Sequence, residues 1–213
     1  MKIGIIGAGN IGANAARLFV KVGHQVVISN SRGPQTLEPL VEELGDNASA
    51  GTAEQARDFG DVVFISIPLG KYDHLPTNGW EEKIVIDSNN YYPDRDGQMS
   101  ELDSGSTTSS ELLLQHLPGA RIVKGFNTIW FEHLRSQGDT SLPLEKRRAI
   151  FIASDDSEAK AVVAGLIEDI GFAAVDTGFL AMGGKSQQPG TPIYNKELTA
   201  AEAAIELAKS AKA

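Results

Sequence analysis

Cysteine is absent from all 213 residues. That excludes disulfides, thiolate metal sites and cysteine nucleophiles, and it fits a reducing compartment, so a cytoplasmic location is expected. Basic residues are scarce too: 19 Lys and Arg stand against 28 Asp and Glu, for a formal net charge of −9. This balance argues against nucleic acid or an anionic membrane as partner. No apolar run reaches the length that spans a bilayer. The four histidines, His24, His74, His116 and His133, have no metal-ligand spacing, and no HExxH occurs, so no metal site and no catalytic histidine is expected. One absence is local: no acidic residue lies between Met1 and Glu38.

What is present supports a soluble globular chain, with 41% hydrophobic residues and length enough for a sizeable core. Lys2 to Ile6 reads as a short buried strand, and because it runs straight into a glycine turn it is not read as a secretory leader. Gly7-Ala8-Gly9-Asn10-Ile11-Gly12 fits G-x-G-x-x-G. A helical pattern follows, with Ile11, Ala15, Leu18 and Val22 on one face, and Gln25 to Ile28 supplies a second strand. The glycines of such a unit have separate jobs. The first permits the tight turn, the second lets the backbone approach a pyrophosphate, and the third lets helix and strand pack closely. The helix N-terminus offers unpaired N–H groups and the positive end of its dipole to an anion. GxGxxG alone is a weak signal, but here strand, turn, helix and second strand all lie where the motif requires them.

The end of the second strand selects the dinucleotide. An NAD enzyme places Asp or Glu there to bind the ribose hydroxyls. This chain has Ser29-Asn30-Ser31-Arg32-Gly33 instead. A carboxylate would repel a 2′-phosphate, whereas Arg32 can pair with it and Asn30 and Ser31 can add neutral donors. NADP(H) is therefore favoured over NAD.

Downstream, strands are read at Asp61–Ile67, Lys83–Asp87, Arg121–Lys124, Ala149–Ala153 and Ala173–Asp176, with a weak one at Ala48–Ala50. Helices are read from Pro34 to Leu44, after a Thr52 cap, after a capping box at Thr108-Ser109-Ser110-Glu111, from Trp130 to Ser136, after a Ser157 cap, and from Leu198 to Ala211. Tyr91 to Ser106 reads as an irregular loop, and Gly178 to Tyr194 as a loop or lid. The alternation predicts an α/β fold: a doubly wound, Rossmann-type, mostly parallel sheet of about seven or eight strands. A single domain, 1–213, is expected. It comprises a dinucleotide-binding core (1–154) and a C-terminal helix–strand–loop–helix extension (155–213).

Several stretches resemble one known family, the coenzyme F420-dependent NADP reductases. They are GAGNIG with SNSRG, the Ile67-Pro68 loop, Leu117 to Lys124, and Gly125-Phe126-Asn127-Thr128. The resemblance covers nearly the whole chain and implies hydride transfer between NADP(H) and a deazaflavin. By position it implies that Gly7, Ala8, Gly9, Asn10 and Ile11 hold the pyrophosphate, and that Ser31 and Arg32 hold the 2′-phosphate. Ile67, Pro68 and Leu69 would then lie beside the nicotinamide ribose, with Asn127 and Thr128 bordering the second ring. Archaeal members carry a Trp-acidic pair after the loop proline, where this chain has Leu69-Gly70-Lys71. The acceptor is accordingly a deazaflavin (coenzyme F420) or a flavin such as FMN or FAD. A homodimer is implied by the same likeness.

Hydride transfer between two bound rings needs positioning and exclusion of water more than side-chain chemistry, so the absence of an acid–base pair fits. Two other readings stand beside it. One is an imine or small-carbonyl reductase on the same fold, although those relatives add a helical substrate domain for which the residues after Asp176 are expected to be too few. The other is a non-catalytic NADP-binding redox sensor. Asp94 and Asp96 read as turn residues, and Glu145 to Arg148 as a solvated charge cluster. Gly183-Gly184-Lys185-Ser186 contains a GK[ST] fragment but lacks the remainder of a P-loop. Trp80, Trp130 and Phe126 are the aromatics able to stack on a flavin-like ring, with Phe126 favoured.

Overall fold

The computed structural model describes residues 1–210. Strands β1 (Lys2–Ile6), β2 (Gln25–Ser29), β3 (Ala48–Ala50), β4 (Val62–Ile65), β5 (Ile84–Asp87), β6 (Arg121–Gly125), β7 (Ala149–Ala153) and β8 (Ala173–Asp176) form one sheet in the order 3-2-1-4-5-6-7-8. The first helices are α1 (Asn10–Lys21), α2 (Glu38–Leu44), α3 (Ala53–Phe59), α4 (Pro93–Asp96) and α5 (Ser100–Asp103). Then follow α6 (Ser109–His116), α7 (Phe131–Ser136), α8 (Ser157–Asp169), α9 (Leu180–Ser186) and α10 (Ala200–Ser210). No helix among the described residues is long and apolar enough to cross a membrane.

Helices cover both faces, which is why β4 and β7 read as near-continuous apolar runs. On one face, Ala15, Ala16 and Phe19 of α1 join Ile3, Ile5, Phe64 and Phe126, together with Val163, Leu166 and Ile167 of α8. On the other, Ala56, Trp80, Leu113 and Leu117 pack on Ile6, Val63, Ile65 and Val85. β1 lies between β2 and β4, so the chain winds outward in both directions from the β1–β4 pair. That reversal opens a crevice beyond the carboxyl ends of these two strands, where ligands bind in open α/β sheets.

The second half departs from the sequence reading in several places. β7 is antiparallel to β6, with Lys124 opposite Ala153 and Gly125 opposite Ile152, while β7 and β8 are parallel. The link from β6 to β7 holds only α7 and a short 3-10 turn at Leu144–Lys146. It stays at the carboxyl edge, so the chain re-enters the sheet from there, a return that needs no crossover. The Tyr91–Ser106 stretch is partly ordered into α4 and α5. α7 begins at Phe131 with Trp130 as its N-cap, and α8 is capped by Asp156 rather than Ser157. The closing helix starts at Ala200; the expected last residue, Ala211, lies outside the described residues.

The Gly178–Tyr194 segment is not a bare loop, because α9 runs through it. Gly183 and Gly184 are buried there. A Cβ on Gly183 would lie 2.7 Å from both Ala153 Cβ and Thr177 Oγ1. Glycine at this position permits close helix–sheet approach, where the sequence reading placed a loop or lid.

Arg121 ties the extension to the core through Asp156 and Glu158. Arg121 on β6 donates to Asp156 through Nε at 2.5 Å and Nη2 at 2.9 Å, while Asp156 Oδ1 accepts the Ala159 N–H at 2.9 Å. The Arg121 guanidinium, with the Ala159 amide, holds the Asp156 carboxyl down to about 2. A folded-state pKa below the unfolded one means that the stabilisation is complete above pH ~4 and drains away as pH falls towards 2. Urea midpoints measured along that range are expected to fall less steeply for Asp156→Ala than for the native sequence.

Candidate functional site

At the end of β1 the chain turns at Gly7, whose φ of 107° lies in the region that favours glycine. Its N–H donates to the Ser29 carbonyl at 3.0 Å, linking the turn to β2. A Cβ here would sit 2.0 Å from the Ser66 carbonyl oxygen, and one on Gly12 would sit 1.9 Å from the Gly7 carbonyl oxygen. Gly9 differs from both: a Cβ there would meet nothing within 4 Å. Two of the glycines are thus demanded by packing and the third faces open space before the helix. Gly9 is the N-cap of α1, no side chain caps that helix, and its first turn carries no acidic residue. Its leading N–H groups and positive dipole end remain available to an anion.

At the end of β2, Asn30 shapes the loop. Its Oδ1 accepts the Arg32 N–H at 3.0 Å and its Nδ2 donates to Thr36 Oγ1 at 2.9 Å. Ser31 and Arg32 are exposed. Among the described residues the Arg32 guanidinium has no hydrogen-bond or carboxylate partner.

A cavity of about 380 Å³ opens at the carboxyl edge, between α1 and the ends of β4, β5 and β6. Asn10 and Ile11, Ile67 and Pro68, and Asn127 line it, so residues singled out in three separate stretches converge. Leu69 and Thr128 do not line it; both are buried. The sequence reading missed Asn89 and Arg95, and also Tyr194 and Asn195, which reach the cavity from the far side of the antiparallel return. Arg95, Tyr194 and Asn195 carry no local signal.

The cavity floor is a buried polar network. Asn89 Oδ1 accepts the Ile67 N–H at 2.9 Å, fixing the loop after β4. Lys124 Nζ donates to the Asn89 carbonyl at 3.1 Å, and to Ser109 and Ser110 hydroxyls at 3.1 and 3.2 Å. Asp87, 3.6 Å from that ammonium, accepts the Ser110 hydroxyl at 2.6 Å and the Asn89 N–H at 2.9 Å. Burial pushes the Lys124 ammonium down, against the pull of Asp87. Asn127 Nδ2 donates to the Gln187 carbonyl at 2.8 Å and to Asn90 Oδ1 at 3.1 Å. These bonds fix both amide orientations. Asn89 Nδ2 and Asn127 Oδ1 are left buried without a protein partner.

The outer wall is aromatic. The Tyr92 and Tyr194 hydroxyls hydrogen-bond, clasping the β5 loop to the segment after α9. Burial and this neighbour hold the Tyr194 hydroxyl protonated well above the usual tyrosine range. Arg95 lies 4.8 Å from the centre of the Tyr92 ring. Its partner Asp96 also accepts the Gly70 and Tyr92 N–H groups, so that carboxylate serves the loop.

Phe126 lines the cavity but offers it no exposed ring face. It adopts φ 63°, and its ring is fully buried, edge-on to Phe64 at 5.1 Å and to Phe19 at 6.4 Å. Trp80 is likewise fully buried in the core.

A glycine turn at the switch point of a 3-2-1-4-5-6 parallel sheet defines a Rossmann-type α/β protein. Comparison with known proteins narrows this. The model of the family described as "NADP oxidoreductase coenzyme F420-dependent" matches residues 2–91. The structure of the hypothetical protein SMa0349 from Sinorhizobium meliloti is similar with a TM-score of 0.81 and 32% identity, covering 93% of this chain and 95% of that one. A candidate F420-dependent NADP-reductase from Arthrobacter sp. FB24 shares the fold with a TM-score of 0.72 at 21% identity, covering 87% and 88% of the two chains. Metalloreductase STEAP3 of Rattus norvegicus is 28% identical over 182 residues, 84% of this chain and 34% of that protein. The chain spans about a third of the length of the curated relatives it matches. Residues 2–91 thus carry the match to that family, and the chain as a whole shares the fold of these solved neighbours.

Proposed function

We propose that this chain transfers a hydride between NADP(H) and a flat-ring acceptor, a deazaflavin such as F420 or a flavin. The observation that carries the reading is the Arg32 guanidinium, unpaired among the described residues, at the strand end where an NAD site would hold a carboxylate. The residues fit the dinucleotide in other ways. Gly7, Ala8, Gly9, Asn10, Ile11 and Gly12 form the turn before the uncapped N-terminus of α1, suited to a pyrophosphate. Arg32 and Ser31 suit the 2′-phosphate, with Asn30 holding their loop. Ile67 and Pro68 would flank the nicotinamide ribose, with Leu69 anchoring their loop in the core. Asn127 would border the acceptor ring, and Thr128 would secure the turn by accepting the Asn195 N–H at 3.0 Å. The unpaired Asn89 Nδ2 and Asn127 Oδ1 also suit a polar ligand, since buried polar atoms normally have partners.

When bound, the reduced dinucleotide supplies the hydride. The chain's own contribution is to hold donor and acceptor face to face and to keep water out. Mixing the protein with NADPH and, separately, F420, FMN and FAD tests this by loss of dihydronicotinamide absorbance. At least one acceptor is expected to oxidise NADPH catalytically; binding of NADPH without oxidation by any of them would leave the imine-reductase and sensor readings.

The glycines give a sharper test. Gly9→Ala is expected to leave the thermal midpoint unchanged, because its Cβ meets open space, yet to weaken NADPH binding. Gly12→Ala, driven into the Gly7 carbonyl, is expected to lower the midpoint itself. Paired melting curves and NADPH titrations separate the two outcomes.

A further inference from the structure

We infer that Trp130 is the platform on which the acceptor ring stacks. The inference rests on the flat-ring reading above and assigns it a residue. Trp130 is 49% exposed, although an indole is among the side chains with most to gain from burial. It lines the same cavity as Asn10, Ile67 and Asn127. Its ring neighbours, Phe131 at 5.5 Å and His133 at 5.0 Å, meet it at 66° and 84°, so both contacts are edge-to-face. Neither lies parallel on the indole, and a planar guest can.

The position is built to be firm. Trp130 is the N-cap of α7, and the next carbonyl, that of Phe131, accepts the Asn14 side-chain amide of α1 at 2.8 Å. α1 is the helix whose N-terminus faces the proposed pyrophosphate, so one rigid unit would carry both the dinucleotide anchor and the stacking residue. Across the cavity stand Tyr92 and Arg95, the latter with its guanidinium over the phenol. Indole on one side and a cation-bearing phenol on the other suit a flat, electron-poor ring with carbonyl oxygens on its edge. A small aliphatic imine or ketone would leave most of this aromatic surface unused.

The test compares Trp130→Ala and Trp130→Phe with the native sequence. Acceptor affinity is read from the spectral shift of F420 or FMN in the presence of NADP⁺, NADPH affinity by calorimetry, and oligomeric state by sedimentation. Trp130→Ala is expected to weaken the acceptor about tenfold or more, as loss of one stacking partner does. Trp130→Phe is expected to recover most of that loss. NADPH affinity and sedimentation should stay at native values. Native acceptor affinity in Trp130→Ala would overturn the inference, as would a parallel fall in NADPH affinity. So would a change of oligomeric state accompanying the loss, which would make the indole an interface residue. A native protein that neither binds nor reduces any flat ring removes the functional reading and this inference together. Turnover with native acceptor affinity in Trp130→Ala removes only the inference.

Discussion

Lys124→Met is expected to cost about 3–5 kcal/mol of unfolding free energy, the usual penalty for removing one partner of a buried ion pair. Lys124 and Asp87 are 1% and 0% exposed and 3.6 Å apart. Methionine fills nearly the same volume, so packing changes little. Its loss leaves the Asp87 carboxylate in the interior with the Ser110 hydroxyl and the Asn89 N–H as remaining donors. The Asn89 carbonyl and the Ser109 hydroxyl lose a donor as well. Chemical denaturation measures the effect, and a double variant, Lys124→Met with Asp87→Asn, should recover part of it by removing the stranded charge. A loss under about 1 kcal/mol would mean that water reaches this site and that the floor is not the sealed network described above.

Arg32→Ala is expected to weaken NADPH by about 1.5–3 kcal/mol, the value of a hydrogen bond to a charged group, while NADH binding barely changes. The guanidinium is exposed and its loop is held by Asn30 and Thr36 rather than by the arginine side chain. Removing it should therefore leave the loop intact and take away only the phosphate partner. Titrations of both dinucleotides with the variant check this; an equal fall in the two would make Arg32 a structural residue.

The parts of the site legible in the sequence are those built within one β-α-β unit. GxGxxG, the helix after it and the acid-free strand end sit within the first 33 residues, and each glycine's role follows from local geometry. The Thr52 cap and the Thr108 capping box were legible for the same reason, because cap and partner are three residues apart; at Thr52 the structure adds Gln55 as the reciprocal partner. The far wall was not. Tyr194 and Asn195 come to the cavity only because β7 returns antiparallel, and no short-range pattern encodes that return. Gly183 carried a misleading local signal, since glycine that allows close packing looks like glycine in a loop. Phe126 misled in another way. It does end a strand at the ligand edge, but its φ of 63° accompanies a ring set in the core between Phe19 and Phe64. The exposed aromatic lay four residues further on, at Trp130.

Whether a cation in place of an acid governs which dinucleotide this fold accepts can be read from one calorimetric comparison. The native protein is titrated with NADPH and NADH under identical low-salt conditions. NADPH is expected to bind at least tenfold more tightly; equal affinities, or a preference for NADH, would contradict the account.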